Sequence, residues 1–421
     1  MVRIYRFSGV RPVKEAAPEI AAVPYDVVTA DEAKAIIAKN QKSFLRVSRP
    51  DAELPGIPPH DERVYQRARE MFLLLEREGL MKKDPEPGMY LYQAEQDGDI
   101  FLGLCCCLDV DDYRKNRIRR HELTRYDKEE DRTRHIEAVR AHNGPVVLLY
   151  RDDAGLFSFI EAQVTRTQPP VAEVRTEQGA VHQIFRIADP GVLAELEQRF
   201  AAVPALYIAD GHHRAKASVN LADKILASGN QPGEEICRFM GVVFAHNRVK
   251  IHGYSRLLTD LGSFSPDMFT KELGKYFTVR PYAGVDGSVY NIPPAIAEPE
   301  RYHVVHLYLG GTWYECTRPR ENGPETPDTL DVAVLQKHVL EGMLGITDPR
   351  GDARLQYLGG ARPVSDLEKL VDDGTYQLAF AMQPVKVDTV LSIADAGGIM
   401  PPKSTWFEPK LLSGLVVHSF D

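Results

Sequence analysis

The run Ile208-Ala209-Asp210-Gly211-His212-His213-Arg214 concentrates more chemistry than any other stretch of the chain. An apolar strand, Leu206-Tyr207-Ile208, leads through Asp-Gly directly into a helix expected over residues 212–228. Gly211 lets the backbone turn sharply and approach a ligand closely. The first amides of a helix have no intrahelical partners and lie at the positive end of its dipole, so the junction suits an anion. His212 and His213 add donors, and the Arg214 fork can grip a phosphate with two hydrogen bonds. A shared metal is disfavoured, because paired helical histidines ligate at i and i+4 and these two are adjacent. A buried strand-to-helix turn with satisfied histidines is the bland alternative. Two histidines and an arginine in one helical turn tilt the balance towards function.

Basic residues gather again at Arg119-Arg120-His121-Glu122 and along the segment that follows. Asp127 with Glu130 reads as a capped helix start, and Asn143-Gly144-Pro145 as its stop. On that helix Lys128, Arg132 and His135 share one stripe, and Asp131 and His135 are an i, i+4 pair. A solvated helix laced with ion pairs explains this about as well. Arg119, Arg120, His121 and Glu122 lie outside the helix and combine a base with phosphate-type ligands. In Met400-Pro401-Pro402-Lys403-Ser404-Thr405-Trp406-Phe407 the prolines stiffen the backbone. Lys403 would act there as a point charge beside the hydroxyls of Ser404 and Thr405. A surface turn before a last strand at Leu411–Val417 fits equally. Near the N-terminus, Asp26 or Glu32 could be a general base or a magnesium ligand, although a turn that starts a helix needs no function.

The elements that must hold these residues alternate. A short strand at Arg3–Phe7 is expected, then a helix from Thr29 to Asn40 with Thr29 and Glu32 as a capping box. A longer helix runs from Glu62 to Gly79 with Val64, Ala68, Met71, Phe72 and Leu75 on one face. Strands at Met89–Glu95 and Ile100–Val110, joined through Asp97-Gly98, read as a hairpin. Further strands are expected at Pro145–Tyr150, Ala205–Ala209 and Ile236–His246, with a helix at Leu193–Ala202. Later come strands at Tyr302–Leu309 and Tyr376–Met382, separated by a helix near Val332–Leu344. This order indicates a mixed α/β or α+β fold. A soft boundary near 246 divides an N-terminal α/β region, 1–246, from a C-terminal α+β region, 247–421.

The chain has 421 residues, 43% hydrophobic and 26% charged, as in an ordinary folded protein. Its net charge of −9 argues against a nucleic-acid partner. No apolar run approaches the roughly 18 residues of a membrane span. The N-terminal residues lack the apolar core of a signal peptide. Cys105, Cys106 and Cys107 are consecutive, so neighbours on a strand face opposite ways and cannot form one bridge. These signs favour a reducing cytoplasm. The P-loop, G-x-G-x-x-G, G-x-S-x-G, H-E-x-x-H and C-x-x-C signatures are all missing. Abundant cations without a nucleotide or hydrolase signature point to a small phosphorylated ligand.

Pro24-Tyr25-Asp26-Val27-Val28, Arg120-His121-Glu122 with Lys128, Asp210-Gly211-His212-His213-Arg214 and Met400–Thr405 together resemble the DUF1015 family, over about residues 3–420. That family is similar to the ParB/sulfiredoxin superfamily, whose members hold phosphate on a Gly-x-x-Arg-type turn at a helix start. The resemblance implies a phosphotransferase with a ParB/sulfiredoxin-like core. Specifically it implies a pyrophosphate-dependent kinase that converts free L-serine to O-phosphoserine with magnesium. Carried onto this chain, Gly211, His212, His213 and Arg214 would hold the donor phosphate. Arg119, Arg120, His121, Lys128, Lys403, Ser404 and Thr405 would complete the binding field. Asp210 would be the first candidate for magnesium. Glu32, Asp26 and Glu122, in that order, or His213, would take the serine proton. Ala215 departs from the pattern, since many relatives carry tyrosine after the motif arginine. A nucleotide donor, a phosphoserine hydrolase and a ParB-like nucleotide-sensing or DNA-binding module are the alternatives. Oligomeric state is not legible.

Overall fold

Alternating apolar residues in neighbouring segments build one large mixed sheet. A computed structural model describes every residue of the chain except Ala154 and Ala361. It divides into two compact units, Met1–Val249 with Pro409–Asp421, and Lys250–Glu408. The expected region 247–421 is thus corrected at its end. Val417–Ser419 pairs with Gly9–Pro12 and Ala141–His142, which carries the last residues back to the first unit. The last strand is confined to Val417–Ser419, and Leu411–Val416 is irregular apart from an isolated bridge between Ser413 and Ala22.

The central sheet of the first unit runs, in spatial order, Ile118–Arg119, Leu206–Asp210, Val146–Tyr150, Arg238–Ala245, Asp99–Asp109, Met89–Gln96, Val181–Ile187 and Ala172–Arg175. Leu206–Asp210 is parallel to Ile118–Arg119 and antiparallel to Val146–Tyr150. This places the Arg119–Glu122 stretch beside the Asp210–Arg214 turn. The expected hairpin forms, with Asp97 and Gly98 both at positive φ as a two-residue turn requires. Helices Leu156–Arg166, Pro190–Phe200 and His212–Ala227 supply Leu156, Ile160, Leu193, Phe200, Ala215 and Val219 to the core on this sheet. The first of these helices was not legible in the sequence. Ala215 is fully buried there, so a tyrosine at that position would demand different packing.

A second core joins the helices Ala30–Lys39, Glu62–Arg77 and Tyr126–Val139 to a small sheet, through Ala33, Ile37, Phe72, Leu75 and Val139. Thr29 and Glu32 make the expected capping box. At Tyr126–Val139 the expected cap is corrected. The helix begins two residues earlier, with Arg125 at the N-cap and no side-chain cap, while Asp127 binds the Arg125 guanidinium at 2.9 Å.

The second unit holds an antiparallel six-stranded sheet, ordered Thr278–Pro281, Thr312–Pro319, Tyr302–Leu309, Leu378–Met382, Ser255–Leu258 and Leu355–Leu358. Lys250–His252 and Trp406–Glu408 pair separately. Among the described residues no helix is long and apolar enough to cross a membrane. The consecutive cysteines are buried and unbridged on the strand Asp99–Asp109, and burial pushes their thiols upward in pKa, so they are inert.

Candidate phosphate site

Gly211 is the N-cap of the helix His212–Ala227 and has φ of +92°. That backbone suits glycine alone. A Cβ there would also lie 2.9 Å from Arg214 Nε, so the guanidinium packs against the bare glycine. Gly211→Ala is expected to lose about 1–2 kcal/mol of stability through the left-handed backbone, and to displace Arg214. Denaturant unfolding together with phosphate titration checks this. Wild-type values for both would show that the close approach is immaterial.

Arg214 donates to the Pro145 carbonyl and lies 3.7 Å from Asp210. Its Nε is buried without a hydrogen-bond partner. Burial disfavours its charge, but Asp210, Asp26 and Tyr25 outweigh that and raise its pKa. Asp210 is the pivot. One oxygen accepts from the Gly211 amide at 2.9 Å, and the other lies 3.0 Å from Lys410 Nζ. Burial pushes this carboxyl up, yet Lys410 and Arg214 hold it well below the usual range. Lys410 is the residue that sequence reasoning did not place here; it arrives from 200 positions away.

His212 is 5% exposed, and its Nε2 has no hydrogen-bond partner. Its ring packs edge-on against His121 with centroids 4.6 Å apart, and its Nδ1 lies 3.9 Å from Glu122. Burial, then His121, drives the His212 pKa well below its ordinary value. Burial lowers His121 to about 4. Both rings are therefore neutral near pH 7. His213 is half-buried, lowered chiefly by burial, and its Nε2 accepts from the Arg125 amide at 3.0 Å. That ring thus anchors the start of the neighbouring helix.

The basic stripe breaks up. Lys128 is exposed, while Arg132 turns inward over the Tyr25 ring at 4.3 Å and binds Asp131 at 2.8 Å. His135 is buried against the Val47 carbonyl at 2.8 Å, and burial lowers it to about 3, so it is no cation. Asp131 instead takes Arg132 and the Tyr65 hydroxyl. Arg120 stacks on Tyr113 and donates to its hydroxyl, yet its charge reaches His212. Arg119 lies over Tyr207 at 5.7 Å. Asp26 is exposed, and its field reaches both His213 and Arg214. Glu32 is exposed on the helix Ala30–Lys39, with Oε2 2.7 Å from the Thr29 amide.

Lys403, Ser404 and Thr405 belong to the second unit. Ser404 is buried and donates to the Pro401 carbonyl at 2.6 Å. Among the described residues no group of three or more His, Cys, Asp or Glu converges on a metal position. The oxygens of Asp210 face Lys410, Arg214 and the Gly211 amide, so Asp210, the first candidate, does not fit a magnesium ligand.

Residues 4–335 match the family described as "protein of unknown function (DUF1015)". The chain belongs to the DUF1015 family. The match spans both the Asp26 turn and the Asp210–Arg214 motif of this DUF1015 chain, and ends before Lys403. No curated protein matches it. Solved structures with some likeness include a conserved hypothetical protein from Pyrococcus furiosus, 12% identical, covering 72% of this chain and 89% of that one, TM-score 0.34. A free serine kinase in complex with AMP is 12% identical, covering 72% and 87%, TM-score 0.35. SbnI with a C-terminal truncation, from Staphylococcus aureus, is 11% identical, covering 72% and 82%, TM-score 0.34. At these scores the likenesses carry no argument about activity.

Proposed function

We propose that this DUF1015 protein is a small-molecule kinase that phosphorylates free L-serine to O-phosphoserine, with pyrophosphate as donor. The observation that carries the reading is the Asp210–Arg214 turn. Within its first turn the helix His212–Ala227 carries two buried side-chain atoms, Arg214 Nε and His212 Nε2, that have no hydrogen-bond partner in the protein. Buried polar atoms are normally hydrogen-bonded, and these suit phosphate oxygens. In this reading the donor is held as on the turns of ParB/sulfiredoxin-like proteins.

Phosphoryl transfer depends mainly on positioning and charge stabilisation. Arg214 would grip the transferred group, while Asp210, itself paired with Lys410, steadies the guanidinium. His212, neutral, would donate or accept at a phosphate oxygen without adding charge. Asp26 is the favoured base for the serine hydroxyl, because its carboxylate already sits within electrostatic reach of Arg214 and His213. Glu122 stands beside His212, and Glu32 holds its own helix cap, so both rank behind it. The serine oxygen would attack phosphorus as its proton passes to Asp26, and orthophosphate would leave.

The test is incubation with L-serine, magnesium and pyrophosphate, ATP or ADP in parallel, followed by phosphorus NMR. Phosphoserine from pyrophosphate is expected. No phosphoserine from any donor would sink the reading, and phosphate release from phosphoserine alone would replace it with a hydrolase.

A further inference from the structure

Among the described residues of the second unit is a cation that no carboxylate neutralises. Arg256 lies on the strand Ser255–Leu258, between Leu355–Leu358 and Leu378–Met382, and is 4% exposed. It donates to the Tyr254 carbonyl and faces the Tyr357 ring at 5.3 Å. Among the described residues it forms no ion pair. Burial pulls its pKa down to about 10, opposed by the fields of Tyr357 and Tyr254. A buried charge is costly unless paired and fully hydrogen-bonded, and an apolar side chain of similar shape would be cheaper there. A guanidinium in this place makes sense with an anion brought from outside the chain.

A second cation meets the same tyrosines. Lys403 has φ of +59°, held between Pro401-Pro402 and the buried Ser404. Such backbone is uncommon outside glycine, and strain of this kind concentrates at ligand clamps. The Lys403 ammonium lies 5.1 Å above the Tyr254 ring and 3.4 Å from its hydroxyl. The fields of Arg256 and Lys403 both reach the Tyr357 hydroxyl, where Arg350 adds to them and Asp348 opposes. Tyr357 donates to the Pro349 carbonyl, whereas the Tyr254 hydroxyl accepts from Lys403 and keeps its own proton for a ligand. Trp406 and Tyr254 close on Gly359, where a Cβ would come within 2.5 Å of either ring. Ring surface here is taken up by packing, so the chemistry favours a compact anion over a stacked base.

We propose that Arg256 and Lys403 form an anion site within the second unit that takes a phosphate group, either free or at the end of a small ester. Arg256 lies over Tyr357, Lys403 lies over Tyr254, and the two rings meet edge-on at 6.3 Å, so two cations border one tyrosine pair and match a dianion, with the arginine fork matching its oxygens. All the residues that carry this inference belong to the second unit.

Equilibrium dialysis of the full chain against radiolabelled inorganic phosphate tests it. Arg256→Met is expected to remove one phosphate per chain that Arg214→Met retains. Lys403→Met, an exposed change that leaves the fold intact, should weaken that site about tenfold, and this variant decides the matter if Arg256→Met does not fold. In phosphate-free buffer Arg256→Met should melt no lower than wild type. Competition by O-phospho-L-serine or AMP at lower concentrations than phosphate identifies an ester as the occupant, and weaker competition identifies free phosphate. Unchanged phosphate binding in Lys403→Met or in a folded Arg256→Met overturns the proposal. So does a wild-type chain whose only phosphate is lost in Arg214→Met.

Discussion

Arg214→Met is expected to lower kcat/KM for phosphoserine formation about 10³-fold, at the lower end of what a transition-state arginine supplies in phosphoryl transfer. By transition-state arithmetic that is about 4 kcal/mol. Methionine keeps the apolar stem and removes the charge and the fork. Asp210 retains Lys410 at 3.0 Å, so its carboxylate stays compensated and the turn keeps its Gly211 amide bond. The effect should therefore fall on transfer more than on folding. Arg214→Lys restores a point charge without the fork and is expected to recover about tenfold. Initial rates by phosphorus NMR, paired with thermal melts, measure both. A folded Arg214→Met variant within threefold of wild type would remove Arg214 from the reaction.

Acid is expected to unfold the first unit between about pH 4 and 6, as its buried histidines take up protons. Burial holds His121 at about 4, His135 at about 3 and His182 at about 4, and drives His142 and His212 lower than their ordinary value as well. In the unfolded chain each takes a proton near pH 6.5. The folded values lie below the unfolded ones, so stability is fully present above about pH 6.5. It is lost as pH falls towards the folded values, because the unfolded state then binds more protons. Each such histidine contributes a slope of about 1.4 kcal/mol per pH unit, so three contribute about 4. A domain typically has about 5–15 kcal/mol to lose. Asp210 does not add to this window, since its folded value lies below its unfolded value near 4 and its contribution persists until then. Far-UV circular dichroism against pH should show a midpoint between about pH 4 and 6 with uptake of at least three protons. A midpoint below pH 3.5 would show that these rings are solvated or charged in the fold.

What was legible in the sequence was local. The strand-Gly-helix junction at Leu206–Arg214, the capping box at Thr29–Glu32, the Asp97-Gly98 hairpin and the Glu62–Arg77 helix each depend on residues within a few positions of one another. Glycine φ, cap geometry and apolar period act at that range. The notion of a phosphate-type site rested on the same local logic, because the helix amides, Gly211, His212 and Arg214 lie within one turn.

Long-range packing decided the rest. A run of charges does not reveal which of its members points inward. Lys128 stays in water, Arg132 turns onto Tyr25, and His135 is buried and neutral, although all three share one stripe by spacing. The start of that helix moved as well, because Asp127 binds the Arg125 side chain in preference to capping the backbone. Arg256 carries no signal of its own in the sequence, and its burial comes from the strands that enclose it. Nothing within reach of Asp210 in sequence predicts Lys410. By itself, then, the sequence determined that a cationic turn exists at Asp210–Arg214. Only the tertiary structure decided what steadies it, since a half-buried carboxylate takes its counter-charge from whichever chain segment packs nearest, and here that is the returning segment Pro409–Asp421.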